Sequence, residues 1–120
     1  MSEIQNTKHY DLEERTLKFA KRINVYVNNL PKTITNIENG KQLVRSGGSV
    51  GANYIEANES LSKKDFILRI KICRKEAKES RFWLELSEPE IEYKIEKEEL
   101  INEVTQLMKI FGSILEKSKE

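Results

Sequence analysis

The side chains of this sequence that could do chemistry are few, and most of them are cationic. Lys64, Lys71, Arg74, Lys75, Lys78 and Arg81 recur at spacings that place them along one edge of a helix. A continuous row of positive charge can neutralise phosphates, a contact that is largely independent of nucleotide sequence and sensitive to salt. The plainer reading is a solvated face partly paired with Glu76, Glu79 and acids of the last helix.

Catalytic constellations are hard to assemble. The one histidine, His9, precedes the first expected helix and would have to serve as base in any Ser/His/Asp or Cys/His arrangement, with no partner to orient it. A di-iron bundle needs two Glu-x-x-His pairs, which one histidine cannot supply. Glu76 and Glu79 have carboxylate spacing but are expected to pair with nearby Arg and Lys. The single cysteine, Cys73, has neither a disulfide partner nor a metal-ligand neighbour and reads as a small buried hydrophobe. No catalytic residue, metal ligand or cofactor is expected.

The stretch Arg45-Ser46-Gly47-Gly48-Ser49-Val50-Gly51-Ala52-Asn53 has the glycines of a phosphate-cradling loop without the rest of one. It lacks the Gly-Lys-Ser/Thr ending, no strand precedes it, and helical apolar periodicity runs through it. Each glycine costs a helix roughly 1 kcal/mol against alanine. Gly47 and Gly51, one turn apart on the inner face, are therefore expected to admit a neighbouring helix or bulky ring at close range.

These residues must be held by helices. The 120-residue chain is 38% hydrophobic and 34% charged, with five glycines and two prolines, a balance that suits long amphipathic helices in one domain. Apolar spacings of three and four predict helices over about 11–30, 39–60, 63–86 and 96–117. Asp11 is available as the first cap, Pro31 ends the first helix, Ser62-Lys63-Lys64-Asp65 resembles a capping box, and Pro89 marks the exit from the third. Similar lengths and short links predict an all-α, antiparallel up-down-up-down four-helix bundle. No apolar run is long enough to span a bilayer and no leader-like start is present, so a cytoplasmic protein is expected.

Net charge is +1, but it is segregated: residues 61–86 carry eight Lys/Arg against four Asp/Glu, and residues 87–120 carry five against nine. The third helix also has more apolar surface than one core face requires. Phe66, Ile70, Cys73, Ala77 and Leu84 fall on one side, and Leu68, Ile72, Trp83 and Leu86 fall nearly opposite. That second stripe predicts a homo-oligomer interface, unless the connecting segments cover it.

The stretches Tyr10-Asp11-Leu12-Glu13-Glu14-Arg15-Thr16, Gly40-Lys41-Gln42-Leu43-Val44 continuing through Arg45 to Ala57, Ser62-Lys63-Lys64-Asp65-Phe66, and Lys75-Glu76-Ala77-Lys78-Glu79-Ser80-Arg81-Phe82-Trp83-Leu84 resemble the bacterial four-helix-bundle proteins encoded in intervening sequences of 23S ribosomal RNA genes. The resemblance extends over about residues 8–118, and the long motif of the second helix is its most specific part. It implies a ring-like homopentamer of four-helix bundles. The architecture is also similar to the accessory variability proteins of diversity-generating retroelements, basic pentameric barrels that bind nucleic acid and a reverse transcriptase. The net charge of +1 departs from that basic relative. Arg45, Ser46, Asn53, Glu56, Lys75, Glu76 and Arg81 match the family pattern and are expected in a polar network, and the resemblance brings no catalytic residues. Together these readings predict a non-catalytic, homo-oligomeric bundle that binds RNA or a ribonucleoprotein through the basic edge. The alternative is a protein-interaction module without nucleic-acid binding.

Overall fold

Proline 31 sets the first boundary. In the computed structural model, which describes the backbone of residues 2–119 and the side chains of residues 12–119, helix α1 spans Ser2–Asn28. Asn29 and Leu30 follow as a turn, their N–H groups donating to the carbonyls of Tyr26 and Val27 at 3.1 Å. The expected end at Leu30 is thus two residues late, because the residue before a proline is pushed out of the helical region. The helix also begins before Asp11, and its backbone includes position 9. No Gly or Pro interrupts residues 2–10. The side chains of His9 and Asp11, with the capping role expected of Asp11, lie outside the described residues.

Helix α2 spans Ile34–Asn58 and starts five residues before the expected Asn39. Thr33 is the reason: its backbone is extended and its hydroxyl accepts the Asn36 N–H at 3.1 Å. The early turn has little apolar signal, since Ile34 and Ile37 are exposed. It is held instead by Asn36, whose buried amide donates to the carbonyls of Pro31 and Glu88 and accepts the Glu88 N–H, each at 3.0 Å. One asparagine therefore ties the α1–α2 corner to the segment after the third helix.

Helix α3 spans Lys63–Leu86, with the Ser62 hydroxyl accepting the Asp65 N–H at 3.1 Å. A single 3-10 turn, Ile91–Tyr93, leads into α4, Lys94–Ser118, which starts two residues before the expected Glu96. That turn continues directly into the helix and removes part of the expected linker.

Cross-helix contacts give the topology. Between α1 and α2, Thr16 faces Gly51 and Val27 faces Gly40. Between α2 and α3, Asn53 meets Arg69 at 3.0 Å and Ser46 meets Ser80 at 2.8 Å. Between α3 and α4, Arg81 meets Thr105 at 3.3 Å, and Lys97 donates to the Ser87 carbonyl at 2.8 Å. Between α4 and α1, Glu103 meets Arg15 at 2.7 Å and Glu96 meets Arg22 at 2.9 Å. In every pair one number rises as the other falls, so all four neighbours are antiparallel. The fold is all-α, an up-down-up-down four-helix bundle.

Its core is one inward residue per turn from each helix, including Phe19, Ile23 and Tyr26 of α1, Leu43, Val50 and Tyr54 of α2, Ile70, Ala77 and Leu84 of α3, and Leu100, Leu107 and Phe111 of α4. The rings of Tyr54 and Phe111 lie 6.1 Å apart. Not every apolar residue of the second helical segment reaches the core. Val44 and Ile55 are exposed because they turn past the core-facing sector, and Leu61 is fully exposed in the turn beyond the end of α2. At the far end of the core the Tyr26 hydroxyl shares a buried 2.6 Å hydrogen bond with Ser87.

Candidate nucleic-acid interface

At 100° per residue, α3 turns the sector holding Ile70, Cys73, Ala77, Ser80 and Leu84 inward, and positions 64, 71, 75 and 78 fall on the opposite side. Lys64, Lys71, Arg74, Lys75 and Lys78 are accordingly exposed. Arg81 is half-buried and turned toward α4, where its guanidinium donates to Thr105 Oγ1 at 3.3 Å. Two shallow grooves adjoin along this surface. One, of about 370 Å³, is lined by Lys71, Arg74, Lys75 and Lys78 with Met108 of α4 as its apolar wall. The other, of about 500 Å³, lies among Lys63, Lys64, Asp65, Ile67, Leu68 and Lys71, so Lys71 borders both.

The expected partners of this row are committed elsewhere. Arg45 of α2 takes Glu76 at 3.4 Å and makes a short contact with Glu79, drawing both carboxylates to the α2 side. The acids of α4 turn to α1. Arg15 grips Glu103 through two nitrogens at 2.7 and 3.0 Å and also reaches Gln106, and Arg22 grips Glu96 while reaching Glu99 at 3.5 Å. The hydrogen bond to Glu96, with the charges of Glu96, Glu99 and Glu103, raises the Arg22 pKa further above its ordinary value. Among the described residues Lys75 has only Glu76 within reach, at 4.0 Å. Among the described residues no carboxylate oxygen lies within 4.0 Å of Lys64, Lys71, Arg74 or Lys78. Pairing with Glu76, Glu79 and the last helix therefore does not neutralise the row. Geometry explains this: carboxylates at 76 and 79 stand on the α2 flank of α3, and those at 96, 99 and 103 stand on the α1 flank of α4.

The four positions expected to form an oligomer stripe do not share one environment. Leu68 and Leu86 are 55% and 46% exposed, whereas Ile72 and Trp83 are half-buried on the α2 side. Trp83 packs against the core, and its Nε1 donates to Glu79 at 3.4 Å. Its ring meets Phe82 edge to face, with centroids 5.0 Å apart and planes at 74°. Phe82, which did not figure among the candidate residues, is exposed on the basic side. Its distance of four residues from Lys78 and seven from Lys75 was the available signal.

The two glycines face α1. A Cβ at Gly47 would lie 3.3 Å from Ile23 Cγ2, and one at Gly51 would lie 2.8 Å from Thr16 Oγ1. Between α2 and α3 the matched positions Arg45, Ser46, Asn53 and Glu76 form hydrogen-bonded contacts with Arg69, Glu79 and Ser80. Lys75 and Arg81 point away from that seam, and Glu56 is exposed.

Cys73 is fully buried, and burial pushes its thiol from 9.0 up to about 12. Burial also raises Tyr26 and Tyr54 above 10.0. The folded state then holds protons that the unfolded chain releases, so stability is intact below about pH 9 and falls as pH rises toward 12. The urea midpoint should accordingly be lower at pH 10.5 than at pH 7 on the scale of these shifts. A thiol reagent at neutral pH should label Cys73 only after denaturation. Among the described residues no three His, Cys, Asp or Glu side chains converge as metal ligands, and no helix is long and apolar enough to cross a membrane.

The family model for the 23S rRNA-intervening sequence protein matches residues 8–113. No curated protein sequence matches the chain. Among solved structures, the chain is similar to a protein of unknown function from the S23 ribosomal protein family of Bacteroides thetaiotaomicron VPI-5482. The two are 35% identical, the match covers 91% of this chain and 98% of the other, and the TM-score is 0.72.

Proposed function

The chain belongs to the 23S rRNA-intervening sequence protein family, and on that premise we propose that it is a non-catalytic, homo-oligomeric bundle that binds RNA, free or within a ribonucleoprotein, through the outer face of α3. The observation that carries the reading is the row Lys64, Lys71, Arg74 and Lys78, which has no carboxylate within 4.0 Å among the described residues, joined by Lys75. Cations left without carboxylates along several helical turns suit a polyanion, because each phosphate contact releases a condensed counterion. The half-buried Arg81 flanks the row and is a secondary contact. A net charge of +1 does not oppose this, since Glu96, Glu99 and Glu103 are drawn to α1 and Glu76 and Glu79 to α2.

The oligomer is a pentamer in this proposal, assembled on the α2-side flank of α3 through Leu68, Ile72, Trp83 and Leu86. Exposed Leu68 and Leu86 support it. Repeating the cationic row around a ring would multiply its field. The cytoplasm is the proposed location.

Electrophoretic shifts with structured RNA at about 50 and 200 mM salt test the binding clause. Binding at the lower salt that weakens steeply at the higher is expected, and no shift at the lower salt removes the clause. Native mass tests the assembly: a 14.0 kDa species alone at micromolar concentration would contradict it. A second reading, a module that binds protein and not nucleic acid, draws on the apolar groove of about 400 Å³ at the α1–α2 corner, lined by Val27, Leu30, Pro31, Ile37 and Val44. Nuclease-insensitive capture of a protein, with no RNA shift, would favour it.

A further inference from the structure

We infer that the RNA held by this face is single-stranded and that one of its bases stacks on the ring of Phe82, an inference that rests on the RNA-binding reading of α3. Positions 64, 71, 75, 78 and 82 follow one another at spacings of seven, four, three and four, so they form one straight stripe along the helix. All five are exposed, reading Lys, Lys, Lys, Lys, Phe from the start of α3 toward its end. The stripe is about 27 Å long at 1.5 Å per residue, and Phe82 stands roughly 6 Å along the axis from Lys78. A cationic track that ends on an aromatic face is the pairing used to hold single strands: the cations take the backbone and the ring takes a base.

Phe82 is also held as a platform. It is 53% exposed, yet it rests on the edge-to-face contact with Trp83 at 5.0 Å. Trp83 in turn packs on the core and is tethered to Glu79. The ring therefore has an aromatic neighbour on one side while showing apolar surface to solvent. A duplex offers no base face to such a ring, because its bases are stacked inside the helix, whereas an unpaired base can lie flat on it. Lys78 and Lys75 precede Phe82 along the stripe, with no carboxylate within 4.0 Å of Lys78 among the described residues, and the exposed Glu85 follows it one turn on.

The test compares wild type with Phe82→Ala and Phe82→Trp by fluorescence anisotropy at about 50 mM salt, using a single-stranded RNA of about 12 nucleotides, the same strand annealed to its complement, and inorganic polyphosphate. Phe82→Ala is expected to weaken single-strand binding about tenfold. It should leave duplex and polyphosphate affinities within about twofold, and Phe82→Trp should restore single-strand binding. If wild type binds neither RNA nor polyphosphate, the RNA-binding reading itself fails and takes this inference with it. If wild type binds but Phe82→Ala binds the single strand equally well, the stacking inference alone is overturned. A lower native mass for Phe82→Ala would also overturn it, by placing the ring in a contact between copies of the chain.

Discussion

Replacing Lys71, Lys75 and Lys78 together by glutamine is expected to weaken RNA binding roughly a hundredfold at about 50 mM salt and to reduce the slope of log K against log salt by about two. The slope follows from counterion release, near 0.7 per phosphate contact on a single strand, with three contacts removed. Glutamine keeps helix propensity close to that of lysine and leaves the long polar stem in place. All three positions are exposed and none packs in the core, so helicity and thermal midpoint should change little. The same substitutions made among the paired residues should behave differently. Arg15 and Arg22 are held by Glu103 and Glu96. Replacing them should alter stability by up to about 1 kcal/mol each, as partly exposed ion pairs do, with little effect on RNA. Equal losses of RNA affinity from both sets, measured by anisotropy, would mean that only general positive charge matters and that the α3 face has no special part.

Gly51→Ala should be the most damaging small substitution in the bundle, although alanine is the better helix former. The added Cβ would stand 2.8 Å from Thr16 Oγ1 and 3.1 Å from Thr16 Cβ. Thr16 is buried, its β-branched side chain has few rotamers, and its hydroxyl is engaged with the Glu13 carbonyl at 3.0 Å. It cannot swing away, so α1 must shift from α2. Overpacking of this kind costs about 1–3 kcal/mol, which exceeds the propensity gain of roughly 1 kcal/mol over most of its range. A fall in Tm of several degrees is expected, on the order of 3–8 °C. Gly48→Ala is the internal control. It is exposed with nothing within 4 Å of the new Cβ, so propensity acts alone and stability should rise by about 0.5–1 kcal/mol. Thermal unfolding of the two variants side by side separates close packing from composition. A higher Tm for Gly51→Ala would refute the close approach of the helices.

Much of the fold is legible because helix periodicity and punctuation act locally. Pro31, Ser62 and Pro89 mark boundaries by steric and capping effects that need no tertiary context. The start of α2 is obscure for the opposite reason. Thr33 has no adjacent apolar run to announce a helix, and the burial of Asn36 depends on carbonyls that come from Pro31 and from Glu88, 52 residues away. The basic row itself is visible in the sequence, but that Lys64, Lys71, Arg74 and Lys78 have no carboxylate within 4.0 Å among the described residues is not. Whether Glu79 serves Arg45 or a lysine depends on which flank of α3 meets α2, and whether Glu103 serves Arg15 depends on α1 closing against α4. Those are facts of helix order and rotation, which single-helix patterns do not carry. Leu68, Ile72, Trp83 and Leu86 show the same limit. A helical wheel groups them as one face, whereas in the bundle Ile72 and Trp83 are half-buried and Leu68 and Leu86 are exposed.

If RNA lies along the outer face of α3, ultraviolet cross-linking of a 4-thiouridine-substituted RNA to the intact protein, followed by peptide mapping, should place the cross-links on peptides from α3, at Phe82 and the segment from Lys71 to Lys78. Cross-links concentrated on α1, or on the α1–α2 corner around Ile37 and Val44, would contradict it.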